Sequence, residues 1–432
     1  MAPACTARPS CLVALLLLGC VVGAQGNVLF QEDGYGDLRI RTEDGLRHTG
    51  LTVNDVDLLA ELRRTQFMVN KLKDMMCAAH DPSSSVYTDQ FRLEESADGK
   101  AYVTVVEHSA TKKVFLVPFT EDHVVEYDPV TQNLTKIPLP SDFLAAEAQR
   151  AGQSGVALWQ GAFEAQDGSL YAVPFASTAV LIIHPETHTL DVTTIAGLEP
   201  GPKYRGGVLV SDRFIVTVPG EADHSLIIDM NTNELHNITI DVDHESQHNI
   251  KWSGGSLGRD GKIYCVPRDA NAILIIDPQT QTYDATTLTV HPANDKWWGS
   301  VMVPSGKIIG FPRNFHSVLV IDPSTQSTSL IRTSKDEDGI QWERPRWAPG
   351  FVGPDGRAYG VPATSKSVLV IDADAKVVSE VEIPDLPNTG SPDDPDIMWH
   401  GCIVRGNGRA YCAPVHATNP LVIDMEMVTL CW

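Results

Sequence analysis

The sequence predicts an all-β fold: a seven-bladed β-propeller of four-stranded blades, preceded by a short N-terminal helix. Three phased observations predict it. A hydrophobic residue followed by proline recurs at Pro118, Pro174, Pro219, Pro267, Pro312, Pro362 and Pro414. Ten residues after each proline stands Asp128, His184, Asp229, Asp277, Asp322, Asp372 or Asp424, without an insertion. Fifteen residues before it stands Trp159, Tyr204, Trp252, Trp297, Trp347 or Trp399, in every unit but the first. A long fixed period with closely spaced turn signals and no helical pattern means small sheets repeated around an axis.

In chain order, residues 1–26 read as a secretory leader. Arg8 is a weak basic region, Leu12 to Leu18 an apolar core too short to span a bilayer, and Val22-Gly23-Ala24 a small-residue cleavage site. Leu17-Leu18-Gly19-Cys20 also resembles a bacterial lipoprotein box that would lipidate Cys20, but the apolar Val21-Val22 after it argues against this. The protein is therefore expected to be secreted or otherwise exported, extracellular or periplasmic, with no membrane span and with lipid anchoring as the lesser alternative. Residues 27–53 are polar and Gly-rich, and they would add an eighth blade only if they contributed strands.

Leu58, Leu62, Thr65, Val69, Leu72 and Met76 alternate at spacings of four and three, which predicts an amphipathic helix over 54–76 with Asn54 as its N-cap. Such a helix either packs on the propeller or joins copies of the chain into a homo-oligomer. Residues 78–90 read as a Pro/Ser linker, and 91–432 as the propeller.

Within each unit the segment after the aromatic residue is the first strand. Asp167-Gly168, Asp260-Gly261, Ser305-Gly306, Asp355-Gly356 and Asn407-Gly408 turn it into the second, because glycine supplies the positive φ that tight hairpins need. The second strand stops at proline, which has no N–H for the ladder. The third is the Val-Leu-Val-Ile-Asp run, and Asp-Pro-x-Thr (Asp277 to Thr280, Asp322 to Thr325) suits a type I turn into a polar fourth strand. The last unit continues to Val428-Thr429-Leu430-Cys431-Trp432, enough for its own fourth strand.

Five cysteines follow the leader, which itself holds Cys5, Cys11 and Cys20. Cys402 and Cys412 flank the Asn407-Gly408 hairpin and form either a cross-strand disulfide or two buried thiols. Cys265, inside a second strand, reads as an inert core residue. Cys77 and Cys431, at the two ends of the folded region, either staple those ends or leave Cys77 to bridge two chains. Asn133 and Asn237 begin sequons that would be glycosylated in a eukaryotic secretory pathway.

The Asp-Gly-x-x-Tyr-x-Val-Pro and Val-Leu-x-Ile-Asp-Pro stretches resemble the broad propeller group of NHL-repeat, SMP-30-like and streptogramin-lyase-like proteins. The resemblance covers residues 91–432 and implies the propeller fold alone. The enzymes of that group hold their chemistry in a few non-repeated loop residues that do not align here, so no activity carries over.

Function is expected on the face formed by the loops between blades and between second and third strands. The repeated aromatic residues there either wedge between adjacent blades or line a mouth that stacks a flat ligand, and their repetition favours the wedge. The net charge of −22 excludes non-specific nucleic-acid binding. Yet Lys203, Arg205, Lys251, Lys296, Arg344, Arg346, Arg268 and Arg313, with His316 and His400 near, gather on one face of blades three to six, eight of the 33 Lys and Arg residues. Guanidinium groups suit carboxylate, sulfate or phosphate.

This predicts a module that binds an anionic glycan, another anionic ligand or a protein. The candidate contacts are Arg205, Lys251, Trp252, Arg268, Lys296, Trp297, Arg313, His316, Arg346, Trp347, Trp399 and His400. The opposing reading pairs these bases with the acid clusters Asp241, Asp243 and Glu245; Asp336, Glu337 and Asp338; and Asp393, Asp394 and Asp396. The same clusters would hold Ca²⁺ only with poor ligand spacing, and no other cofactor or metal is expected. No Gly-x-Ser-x-Gly, His-Glu-x-x-His or P-loop is present. A lyase or hydrolase would have to draw a His/Asp or metal-assisted site from His123, His224, His316 and His416.

Overall fold

Each repeat folds as a four-stranded antiparallel sheet, and in all but the last the strands follow chain order from the axis outward. The structure is a computed structural model that describes residues 102–425 except 132, 153–155, 243–249, 334–343, 384–396, 406–407, 416 and 418–420, together with the backbone of five short strands between Val28 and Thr88. Blade 4 shows the pattern: Trp252–Leu257, Ile263–Pro267, Leu274–Asp277 and Thr282–Asp284. Its second strand is buried along its whole length, whereas the last has one exposed residue and two half-buried ones. The turn chemistry is as expected. Gly261 holds φ at 79°, and Asp277 Oδ1 accepts the N–H groups of Gln279 and Thr280 at 3.0 and 3.1 Å.

The propeller has seven blades, and the core lies between them. Seven buried clusters each hold one repeated aromatic residue together with side chains of two neighbouring blades; Trp252 packs with Val216 and Ile227 of blade 3 and Cys265 and Ile276 of blade 4. Trp159, Trp252, Trp297, Trp347 and Trp399 are at most 1% exposed, so they are wedges and cannot stack a ligand. Four of their indoles donate to a carbonyl twenty residues on, as Trp252 Nε1 does to Ala272 O at 2.8 Å. The first blade also carries an aromatic wedge, Tyr102, which pairs with Pro118 as Trp159 pairs with Pro174. One extra residue between Tyr102 and Pro118 hides it from a fifteen-residue spacing.

Helix α1 (Ser141–Ala151) links blades 1 and 2, with Phe143 stacked on Trp159 at 5.8 Å. The sequence pattern does not announce it.

Closure corrects one expectation. The place expected of residues 428–432 as fourth strand of the last blade is taken by Val86–Thr88, which pairs with Leu421–Asp424 in the order Leu421↔Thr88, Val422↔Tyr87, Ile423↔Val86. Part of the expected linker is therefore blade, and the chain's start and end meet in one sheet. Cys402 and Cys412, directly opposed in that blade, form the expected disulfide.

The chain divides into two compact units, Met1–His80 and Asp81–Trp432. In the first, Val28–Glu32 pairs with Leu38–Thr42 and Thr52–Val53 with Val56–Asp57. These strands form two-stranded sheets of their own rather than an eighth blade. Val56–Asp57, within the expected helix 54–76, is strand and not helix; the rest of that span, the leader, Cys77 and Cys431 lie outside the described residues. Among the described residues no helix is long and apolar enough to cross a membrane.

Candidate functional site

The innermost strands begin with a bulge. After each pairing of an aromatic residue with proline the register slips in blades 2 to 5, and the second residue past the aromatic is glycine at positive φ: Gly161, Gly206, Gly254 and Gly299. These glycines form a collar. A Cβ on Gly254 would lie 2.5 Å from Gly299 Cα, and one on Gly161 would lie 3.3 Å from Gly206 Cα. The residue between aromatic and glycine sits at this bulge, beside the axis. Val103, Gln160, Arg205, Ser253, Trp298 and His400 accordingly line one axial funnel of about 320 Å³.

His400 anchors this wall. Its Nδ1 lies 2.6 Å from Val103 O, and because a carbonyl only accepts, Nδ1 carries the hydrogen and Nε2 is left as the acceptor. Burial lowers its pKa to about 4, so the imidazole is neutral at physiological pH. Trp298 leans on it, with ring centroids 4.8 Å apart, and the Arg313 guanidinium lies 5.6 Å over the indole. Ser253 Oγ, Trp298 Nε1 and His400 Nε2 are buried and have no hydrogen-bond partner among the described residues. Ser253, Trp298 and Gln160 escaped the sequence reading. The signal that finds them is their place one residue past the repeat aromatic, where the repeat itself varies.

The expected basic cluster is held inside the fold. Arg268 Nε and Arg313 Nη1 share Asp295 Oδ1 at 2.7 and 2.9 Å, Arg205 pairs with Glu221, and Arg346 pairs with Glu380 at 3.2 Å. Burial, with Arg268 nearby, lowers Arg313 to about 10. The lysines before the aromatic residues reach back to carbonyls. Lys203 Nζ donates to Ser177 O at 2.9 Å, Lys296 to Ala270 O at 3.0 Å, and Lys251 to Glu221 O at 3.4 Å. Burial lowers Lys203 and Lys296 to about 8.

Among the described residues the pairing acids are Glu221, Asp295 and Glu380. Of the acid clusters read from the sequence only Asp241 is described, and its N–H meets Tyr283 Oη at 3.1 Å. His316 is buried in blade 5, outside the funnel lining, and His416 lies outside the described residues.

His123 and His224 serve the wedges. Where the wedge is tyrosine, its hydroxyl meets a histidine instead of a carbonyl: Tyr102 Oη lies 2.9 Å from His123 Nε2, and Tyr204 Oη lies 2.7 Å from His224 Nε2. The other ring nitrogens hold Asp122 and Asp223 at 2.6 and 2.8 Å. Burial, reinforced by nearby carboxylates, raises both tyrosine pKa values far above the ordinary range. Glu121, Asp122 and His123 bring potential metal-ligand atoms within 4.8 Å of one another, but both His123 nitrogens are already engaged. These two histidines stay in separate blades, each with its own tyrosine and aspartate, and do not converge on one centre. Cys265 is a buried free thiol whose pKa is raised by burial, as an inert core residue requires. Asn133 and Asn237 are exposed on outermost strands.

No protein-family model matches the chain, and no curated protein sequence does. Solved structures with the same fold include virginiamycin B lyase from Staphylococcus aureus, in a catalytically inactive form with quinupristin, at TM-score 0.59 and 10% identity over 78% of this chain and 98% of that one. A streptogramin B lyase aligns at TM-score 0.58 and 12% identity over 79% and 99%. The extracellular domain of a hybrid two component system from B. thetaiotaomicron aligns at TM-score 0.55 and 10% identity over 78% of this chain and 39% of that one. At the level of fold the chain resembles these two lyases and this extracellular domain, and the likeness extends to the fold alone.

Proposed function

We propose that the protein is an exported binding module whose ligand is seated in the axial funnel. The observation that carries this reading is the axial funnel itself, about 320 Å³, whose lining brings Gln160, Arg205, Ser253, Trp298 and His400 together from one place in the repeat. Export is supported by the leader-like first 26 residues and by the Cys402–Cys412 disulfide. The exposed Asn133 and Asn237 would then carry glycans.

An anionic glycan is the ligand that the basic residues suggest, and it has weaker support, because Arg205, Arg268 and Arg313 already hold carboxylates. The lyase reading would need converging histidines, and His123 and His224 are each committed to a tyrosine wedge.

The test uses protein secreted from eukaryotic cells. N-glycosidase should shift its mobility, and a screen of sugars, amides and anions should yield a ligand that Ser253→Ala, Trp298→Phe protein binds at least about tenfold more weakly than the parent. A ligand held equally by both, or one lost only when Arg268 and Arg313 are replaced by alanine, would remove the funnel from consideration.

A further inference from the structure

We infer that the glycan on Asn237 has a seat: its first sugar, an N-acetylhexosamine, lies in the outer cleft between blades 2 and 3. The inference rests on export through a glycosylating compartment and is independent of what the funnel binds. Strand register gives the direction. In blade 3, Asn237 on Leu235–Thr239 stands directly opposite Leu226 on His224–Asp229, and Leu235 stands opposite Ile228. Side chains alternate along a strand, so Asn237 shares one sheet face with Leu226, Ile228 and Leu235. That face is turned to blade 2, because these three pack in one cluster with Val180 and Ile182. Asn237 itself is exposed, at the outer mouth of the gap.

That mouth is a cavity of about 510 Å³ between Asn237 and the connector 197–203 that leads from blade 2 to blade 3. Its base is closed by buried Leu226 and by Tyr204, whose hydroxyl meets His224 Nε2 at 2.7 Å. Its rim is mixed, with half-buried Leu198 and Leu235 beside exposed Glu199 and His236. A Cβ added to Gly197 would meet nothing within 4 Å, so the connector side has room. A pyranose offers an apolar C–H face with hydroxyls around its edge, which suits leucines ringed by polar groups. Lys203 Nζ is committed to Ser177 O and Gly201 O at 2.9 and 3.0 Å, so the cleft favours a neutral group over an anion. The sugar arrives from a lipid-linked diphosphate donor during export. Asn237 Nδ2 loses a proton and bonds sugar C1, and the C1–O bond breaks with its electron pair left on the diphosphate. Tethered there, the sugar needs only weak contacts, because its local concentration is high. Asn133 provides the contrast. It opens its strand at a blade corner, opposite Asp128 and near Val130, which is 88% exposed.

The experiment uses full-length protein secreted from eukaryotic cells with high-mannose glycans. Mass spectrometry of glycopeptides reads occupancy first, and both sequons should be occupied. N-glycosidase should then release the Asn133 glycan from native protein at least about tenfold faster than the Asn237 glycan, with unfolding erasing the difference. Trimming by an endoglycosidase that leaves one N-acetylglucosamine should keep the parent's melting temperature. Asn237→Gln and Thr239→Ala should each melt about 2–4 °C lower, whereas Asn133→Gln and Thr239→Ser, which keeps the sequon, should melt like the parent. Amide exchange across 197–203 should be slower with the Asn237 glycan than in Asn237→Gln. Occupancy at Asn133 alone would leave export standing and overturn the seat. Occupancy at neither would overturn both passage through a glycosylating compartment and the seat. Equal release from the two sites, or unchanged exchange across 197–203 in Asn237→Gln, would overturn the seat while leaving the glycan in place.

Discussion

At the scale of single residues, His400 carries the clearest pH signature. Its imidazole is buried, donates from Nδ1 to Val103 O, and has its pKa lowered by burial from 6.5 to about 4. Between those values the unfolded chain binds a proton that the folded one refuses, so stability is full above the ordinary histidine pKa and falls as the pH drops toward 4. A His400→Gln variant cannot take up that proton and keeps a donor for Val103 O. Urea unfolding at about pH 7 and about pH 4.5 should therefore show the parent losing roughly 2 kcal/mol more than the variant. Parallel losses would mean that other groups carry the acid response. Tyr102 and Tyr204 show a different economy. Where the indole N–H is absent, a histidine meets the phenol, and so two histidines that looked available for chemistry in the sequence are structural. Spacing revealed that the histidines recur, but not which wedge each one serves.

Among elements, closure of the ring is the step the sequence concealed. The repeat announces strands by alternation, turn glycines and proline stops. Val86–Thr88 is three residues long, stands outside the repeat period and follows a Pro/Ser stretch. Nothing local marks it as the partner of Leu421–Asp424, because that pairing is decided by closure of the ring and not by propensity. Its loss would expose a hydrophobic strand edge on Leu421–Asp424, a site for aggregation. A chain starting at residue 81 should therefore melt like the parent's propeller unit, whereas one starting at residue 91 should melt roughly 5–10 °C lower and aggregate on heating. Equal melting of the two truncations, followed by calorimetry and light scattering, would show that another segment closes the blade. The disulfide in the same blade was legible, since Cys402 and Cys412 flank a hairpin turn and so had to lie nearly opposite one another.

For the whole molecule, what repeats builds the ring and what varies lines its axis. The wedges, prolines and turn pairs were readable because seven copies reinforce one another. The funnel was not, because its residues occupy a repeat position where each blade differs: Val103, Gln160, Arg205, Ser253, Trp298 and His400 share a place and no chemistry. Sequence position suggested the basic residues instead, and only the fold shows the carboxylates and carbonyls that Lys203, Arg205, Lys251, Arg268, Lys296, Arg313 and Arg346 hold. The glycine collar packs blades 2 to 5 against one another at the axis, and it can be tested by contrast. Gly254 and Gly261 have similar positive φ values, 82° and 79°. Alanine at either pays the same left-handed penalty of about 1–2 kcal/mol. At Gly261, a hairpin turn, the new Cβ meets nothing within 4 Å, whereas at Gly254 it would lie 2.5 Å from the backbone of Gly299 in the next blade. Two backbones cannot part there without opening the ring, so Gly254→Ala should cost a further 1–3 kcal/mol or so. Chemical denaturation of the two variants measures the difference directly. Equal costs would mean that the blades are free to slide at the axis, and the funnel would then be too loose to hold His400 against Trp298.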